Sequence, residues 1–348
     1  MSHEYCDSPY QLQNQIEKYE HMFKHCIPTP CSVHLPPQLN SNVTFMTWNI
    51  YQGFDVAPLF AASPGQIPVA VTQLFRQFLA TNFPIRAKAI AKAIAAEKPD
   101  LIGLQEAVLI KLIIPTFGIV TYDFIDILLE ALAELGLKYE IAALNNDAKG
   151  ELPDSNGNLL QFLERDVILI HKDHKLDVIG KQEANFKTNL TVPLAGQPFT
   201  ILRGWSSIDV KIDGQIFRMI NTRLDPTVEN IRNAQALEIL QGPANTSLPA
   251  IIIGDLNSLP NSTTYNLFTT SGFNDTWIKV GDGPGFTHEQ APDLLNATSR
   301  LIERVDYILF KNGWEPIKAE LVGELQNDRT NTGLWPSDHA GVFASLHL

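Results

Sequence analysis

The stretch IIIGDLNSLP, residues 251–260, decides how this chain is read. An apolar run from Ala250 to Ile253 has the length and β-branching of a buried strand. It meets Gly254, then an acid, Asp255, then an amide, Asn257. Nothing in the hydrophobic pattern needs a carboxylate and a carboxamide two positions apart. Asp and Asn are common turn residues because their side chains bond nearby backbone, so a turn and a functional site both fit this ending.

Working outward, the same ending recurs. TWNI supplies Asn49, and LIGLQE supplies Gln105 and Glu106. INTRLD supplies Asn221, Arg223 and Asp225; RVDYIL supplies Asp306; WPSDHAG supplies Asp338 and His339. Glu106 is the hardest to read as a turn residue, because Glu is a poor turn former and it directly follows an apolar strand. It is the conjunction, more than any one position, that points to chemistry.

The frame around these segments is α/β. VTFMTWNI, LIGLQEA, KYEIAAL, DVILIHK, WSSIDVKI, QIFRMINTRL, AIIIGDL, RVDYILFK and HAGVFASLHL read as strands, with Asp213-Gly214 marking a hairpin turn. QIPVAVTQLFRQFLATNF (66–83) has helical spacing, and Pro84 opens a second, Ala-rich helix that ends at Pro99. TYDFIDILLEALAELG is an amphipathic helix with Thr121 as N-cap and Gly136 as its stop, and VENIRNAQALEILQG is another. Many strands and few helices predict two packed sheets with helices outside.

Residues 1–40 read as an extension and linker, and 41–348 as the main domain. Within the extension, Pro9 opens a short helix through QLQNQIEKYEHMF, and IPTPCSVHLPPQLN is a Pro-rich linker. Cys6, Cys26 and Cys31 all lie there, so no disulfide framework or zinc spacing covers the body; free thiols in a reducing compartment are expected. No apolar leader or spanning run is visible, which sets the default location as cytoplasmic, with leaderless export left open. The 348 residues are 45% hydrophobic and 18% charged, with a net charge of −12. That acidity disfavours a tight non-specific nucleic-acid binder and suits a site that collects a divalent cation.

TWNI, DLIGLQE, RDVILI, GDLNS, RVDYIL and WPSDHAGV, in this order, resemble the endonuclease/exonuclease/phosphatase superfamily, the metal-dependent phosphoesterases related to DNase I. The resemblance runs from about residue 44 to the C-terminus. It implies a four-layer α/β sandwich with an active site across the strand ends of one edge. It also implies Glu106 as the leading ligand of Mg²⁺ (or Mn²⁺), with Asp338 and Asn49 beside it. A hard cation takes oxygen ligands and keeps several waters, so one or two carboxylates suffice. His339 is the expected general base, since imidazole titrates near neutral pH. By the same resemblance Asp306 orients its ring, while Asp255 and Asn257 align the attacking water and bind a phosphoryl oxygen. Asn49, Asn221, Arg223 and Arg165 are expected to meet phosphate, with a surface ion pair as the alternative for Arg165 and for Arg203.

One departure matters. Many members carry NTHL where this chain has NTRL. Arg223 clamps an anion but does not readily donate a proton. His288 of GFTHEQ is a candidate stand-in, or simply a loop histidine. The expected activity is hydrolysis of a phosphodiester or phosphomonoester by a metal- and His-activated water, a lipid head group or small phosphate being favoured over duplex DNA. A nuclease, or a non-catalytic phosphoester-binding protein that keeps the fold, are the alternatives. No obligate protein partner is implied. The segment VAPLFAASPGQIPVAVTQLF (56–75) is either an apolar wall beside the site or a helical insertion packed on the core.

Overall fold

Ala250–Ile253 is buried on both faces, and its side chains alternate between two separate apolar clusters. The computed structural model that shows this describes residues 42–348. The expected N-terminal helix, linker and cysteines lie outside the described residues. The strands, in chain order, are β1 (Asn42–Asn49), β2 (Leu101–Gln105), β3 (Leu109–Ile114), β4 (Gly118–Asp123), β5 (Tyr139–Pro153), β6 (Leu159–His171), β7 (Asp177–Asn185) and β8 (Leu190–Leu194). There follow β9 (Gln197–Ile201), β10 (Gly204–Ile212), β11 (Gln215–Arg223), β12 (Ala250–Asp255), β13 (Asn274–Asp275), β14 (Asp306–Lys311), β15 (Glu315–Val322) and β16 (Gly341–His347). The helices are α1 (Ala57–Ala61), α2 (Ile67–Ala80), α3 (Phe83–Glu97), α4 (Phe124–Glu134), α5 (Glu229–Gln241), α6 (Thr263–Thr270) and α7 (Thr276–Val280).

One sheet runs β15-β16-β1-β2-β6-β3-β4, with β5 also on β6; the second runs β13-β14-β12-β11-β10-β7; β8 and β9 form a separate hairpin. Ile251 and Ile253 meet Phe45, Ile168 and Phe217 between the two sheets. Ile252 turns outward to Ala236, Ile239 and Phe268 of α5 and α6. Met46, Trp48 and Ile102 pack outward against Val71, Ile90 and Leu128 of α2, α3 and α4. The layers are therefore helix, sheet, sheet, helix. Period-two alternation lets each central strand bury two faces at once, which is why these strands read as continuous apolar runs.

Pairing gathers the polar strand ends. β1 and β2 are parallel with Asn49 opposite Gln105, and β11 and β12 are parallel with Arg223 opposite Asp255. Antiparallel β14 brings Asp306 opposite Asp255. Parallel neighbours end together and an antiparallel one begins there, so polar residues far apart in the chain gather at one edge.

Two local expectations change. Thr121 is not a helix cap; it lies in β4 opposite Lys111. The cap is Asp123, whose carboxylate accepts from the Ile125 and Asp126 amides. The β3–β4 hairpin hides in an apolar run whose strand and helix periods overlap. β7 was also missed, because as a largely exposed edge strand it has little alternation to read. At the Asp213-Gly214 turn both residues have positive φ, 46° and 88°, as a two-residue hairpin of the expected hand requires. Among the described residues, no helix is long and apolar enough to cross a membrane.

Candidate active site

Asp255 closes the turn its sequence suggested and also meets the other polar strand ends. Its Oδ1 accepts from the Asn257 amide at 3.0 Å, closing the turn. Its Oδ2 accepts from Asn49 Nδ2 at 3.1 Å and lies 3.4 Å from Arg223 Nε. Gly254 before it has φ +143°, and a Cβ there would sit 1.9 Å from the Thr222 carbonyl oxygen. Only glycine lets the two strand ends approach this closely. Asn257 takes a left-handed φ of 47°, tolerable for Asn, and donates its side-chain amide to the Leu224 carbonyl.

Glu106 leaves β2 at a φ of +59°, a costly conformation for a side chain of this length. Three contacts hold it. Asp166 Oδ1 accepts from the Glu106 amide at 3.3 Å, Asn49 Nδ2 donates to Oε1 at 3.0 Å, and the Gln52 amide donates to Oε2 at 2.7 Å. Arg223 adds the charge: Nη2 lies 2.5 Å from Glu106 Oε1, and Nη1 lies 2.5 Å from Glu164 Oε1. Glu164 also pairs with Arg203. One chain of ion pairs thus runs Arg203–Glu164–Arg223–Glu106.

On the facing side, His339 Nδ1 is 2.8 Å from Asp306 Oδ2, and both residues are buried. The loop carrying His339 is pinned: Trp48 Nε1 donates to its carbonyl and Ser337 Oγ accepts from its amide. The His288 ring lies against it, with centroids 4.4 Å apart. Asp255, Asp306 and His339 bring ligand atoms within 4.8 Å of one another, as do His288, Asp338 and His339. These are acidic and histidine groups able to hold a metal ion.

The charges adjust one another. Burial raises the Glu106 carboxyl, but Arg223 and the Gln52 amide outweigh it and hold the group below its usual range. Burial likewise opposes Asp255, which His339 and Arg223 keep low. Burial raises Asp338, and Glu106 adds to the rise. Burial would depress His339, yet Asp306, Asp338 and Asp255 together push it up to about 10.

Two residues expected on phosphate are engaged elsewhere. Arg165 turns its guanidinium onto Asp123 and onto the Ala107 and Val108 carbonyls. It staples the loop after Glu106, with its donors taken up by protein. Asn221 is fully buried between the sheets, donating to the Leu104 and Val167 carbonyls and accepting from Gln105. It cross-ties the sandwich, away from the surface a substrate reaches. Sequence reasoning missed Arg86, whose fully buried guanidinium donates to the Thr81, Ile50, Tyr51 and Pro336 carbonyls. It ties the loop after Asn49 to the loop before Asp338. In the Ala-rich helix it reads as one more solvated charge. Glu164 and Asp166 were missed too, although an acid pair flanking Arg165 inside a strand was a visible oddity.

Comparison with known proteins shows the family and the fold. The profile of the Endonuclease/Exonuclease/phosphatase family matches residues 46–339. No curated protein matched. Solved structures share the fold. A family protein of Bacteroides thetaiotaomicron is 17% identical with a TM-score of 0.57, covering 89% of this chain and 96% of that one. A humanized TDP2 of D. rerio is 16% identical with a TM-score of 0.55, covering 88% and 98%. The mannosyl-6-phosphatase Bt3783 of B. thetaiotaomicron is 17% identical with a TM-score of 0.54, covering 87% and 99%. The chain belongs to the endonuclease/exonuclease/phosphatase family, and so to the phosphoester hydrolases.

Proposed function

We propose that this site cleaves a phosphomonoester or phosphodiester with water, using Mg²⁺ or Mn²⁺. The observation that carries it is the His339–Asp306 pair at 2.8 Å, set beside Asp255, Asn49 and Glu106. The donor set fits a hard cation. Glu106 and Asp338 offer carboxylate oxygens and Asn49 an amide, and Asp255, Asp306 and His339, like His288, Asp338 and His339, bring ligand atoms within 4.8 Å of one another. When bound, such a cation neutralises phosphoryl charge and lowers the pKa of water.

The protein groups then have distinct roles. Arg223 faces the phosphoryl oxygens while holding Glu106 and Glu164 in place. Asp306 fixes the His339 ring so that Nε2 points away from the pair, where it accepts a proton once the ring is neutral. Asp255 orients the attacking water, and Asn49 holds the Asp255 carboxylate in place. Arg223 stays charged, because the surrounding carboxylates more than offset its burial. It does not donate a proton to the leaving group, so good leaving groups are expected to react best.

The test is a phosphoester panel covering sugar phosphates, lipid head groups and single-stranded nucleic acid, run with Mg²⁺, with Mn²⁺ and with chelator. Turnover that disappears with chelator and in His339→Ala supports the proposal. Turnover indifferent to both would sink it. A cation-dependent rise in Tm, of the size mass action gives, is the companion measurement.

A further inference from the structure

Next to the site lies an apolar cavity of about 120 Å³. Its floor is Ile110 and Phe162 of the large sheet, its wall Leu59 and Leu74 of α1 and α2, and its roof Leu194 and Phe199 of the β8–β9 hairpin. α1 and the hairpin meet through Phe60 and Phe199, whose ring centroids are 6.2 Å apart. Close-packed interiors rarely leave voids larger than a water molecule. This one lies between the core and two surface pieces that reach over it.

The polar groups lining this cavity are Gln52, Glu164 and Arg203. These same residues build the site: the Gln52 amide holds Glu106, and Glu164 bridges Arg203 to Arg223. A phosphoryl group held at Arg223 therefore has the cavity beside it. A sugar or base placed inside would leave its donors and acceptors unpaired against Leu and Phe, which is costly. A chain of methylenes loses nothing there and gains by leaving water. A dry apolar cavity of ~150 Å³ admits a six-carbon ring, so this one suits about four to six carbons.

We infer that the substrate is a phosphoester carrying an alkyl chain next to the phosphorus, and that this cavity binds the chain. The inference rests on the phosphoesterase reading of the adjoining site and names its substrate class. Segment 56–75 then has both roles weighed for it: Val71, Leu74 and Leu59 pack on the core and also line the cavity, which Phe60 lines as well.

The experiment is a ladder of n-alkylphosphonates, methyl to octyl, titrated calorimetrically into the full chain with Mg²⁺. Affinity should rise by up to about fourfold per methylene, the factor equivalent to ~0.8 kcal/mol, and level off near hexyl. Leu194→Trp should flatten the ladder by filling the cavity, and Phe199→Ala should move the plateau to longer chains. Equal affinity along the ladder, or a ladder unchanged in both variants, overturns the inference. Hydrolysis of methyl and hexyl p-nitrophenyl phosphate separates the two claims. Turnover with a flat ladder removes only the chain-binding cavity, and a steep ladder without turnover removes only the phosphoesterase reading.

Discussion

Arg223 Nη2 lies 2.5 Å from Glu106 Oε1, so the guanidinium is bonded to a carboxylate proposed to hold the cation. The same side chain holds Glu164 and reaches Asp255. It therefore offsets three acids at once, and its charge is structural before it is catalytic. A cation arriving at Glu106 shares that carboxylate with arginine, and the two positive charges oppose each other.

Arg223→Ala leaves Glu106 and Glu164 buried without their partner. Breaking a buried pair in this way costs about 3–5 kcal/mol. We expect a clear fall in Tm, a higher KM and a lower kcat, together with a larger stabilisation by Mg²⁺ than in the wild type, because Glu106 is released. Arg223→His restores a donor and is expected to keep activity or raise it. Wild-type KM and kcat in the alanine variant would remove Arg223 from the site.

Asp306→Asn keeps the shape of the residue but removes the charge that orients and supports His339. General-base contributions are typically about 10²- to 10⁴-fold, and kcat should drop within that range. Inorganic phosphate binding should change little if Asp306 acts only through His339. A kcat within twofold of wild type, measured with a stopped chromogenic assay, would rule out the pair as the proton acceptor.

Asp166 gives a prediction about stability and pH. Burial, and then Glu164, push its carboxyl from 3.8 up to about 7. The folded state thus keeps a proton that the unfolded chain releases near 3.8. The sign follows: this group favours folding below pH 4, the benefit shrinks as pH rises, and it is gone above about 7. Asp166→Asn keeps an acceptor for the Glu106 amide and adds a donor where Oδ2 is buried without a partner. Urea midpoints should match wild type at pH 4 and exceed it at pH 8. Parallel curves across that range would contradict the shift.

The sequence by itself determined the parts whose signal is local. Ala250–Ile253 is a strand because β-branched residues run unbroken up to a glycine and turn residues. The hairpin at Asp213-Gly214 and the Ala-rich helix were legible for the same reason. So was the conjunction of Asn49, Glu106, Asp255, Asp306 and His339, since polar residues closing apolar strands break a strong pattern. Tertiary structure decided what those side chains touch. Arg165 and Arg223 look alike in sequence, each a cation in or at the end of a strand. Pairing sends one onto Asp123 and backbone carbonyls, and the other into the acids of the site. Asn221 shares a strand face with Arg223, two positions on, yet it sits deeper in the strand and bonds the Leu104 and Val167 carbonyls between the sheets, whereas Arg223 stands at the strand end. The apolar cavity was least visible of all, because it is closed by α1 and a hairpin some 140 positions apart. Propensity and periodicity act over a few residues, whereas burial, ion pairing and the shape of a cleft depend on which distant segments pack together, and those contacts exist only in the folded chain.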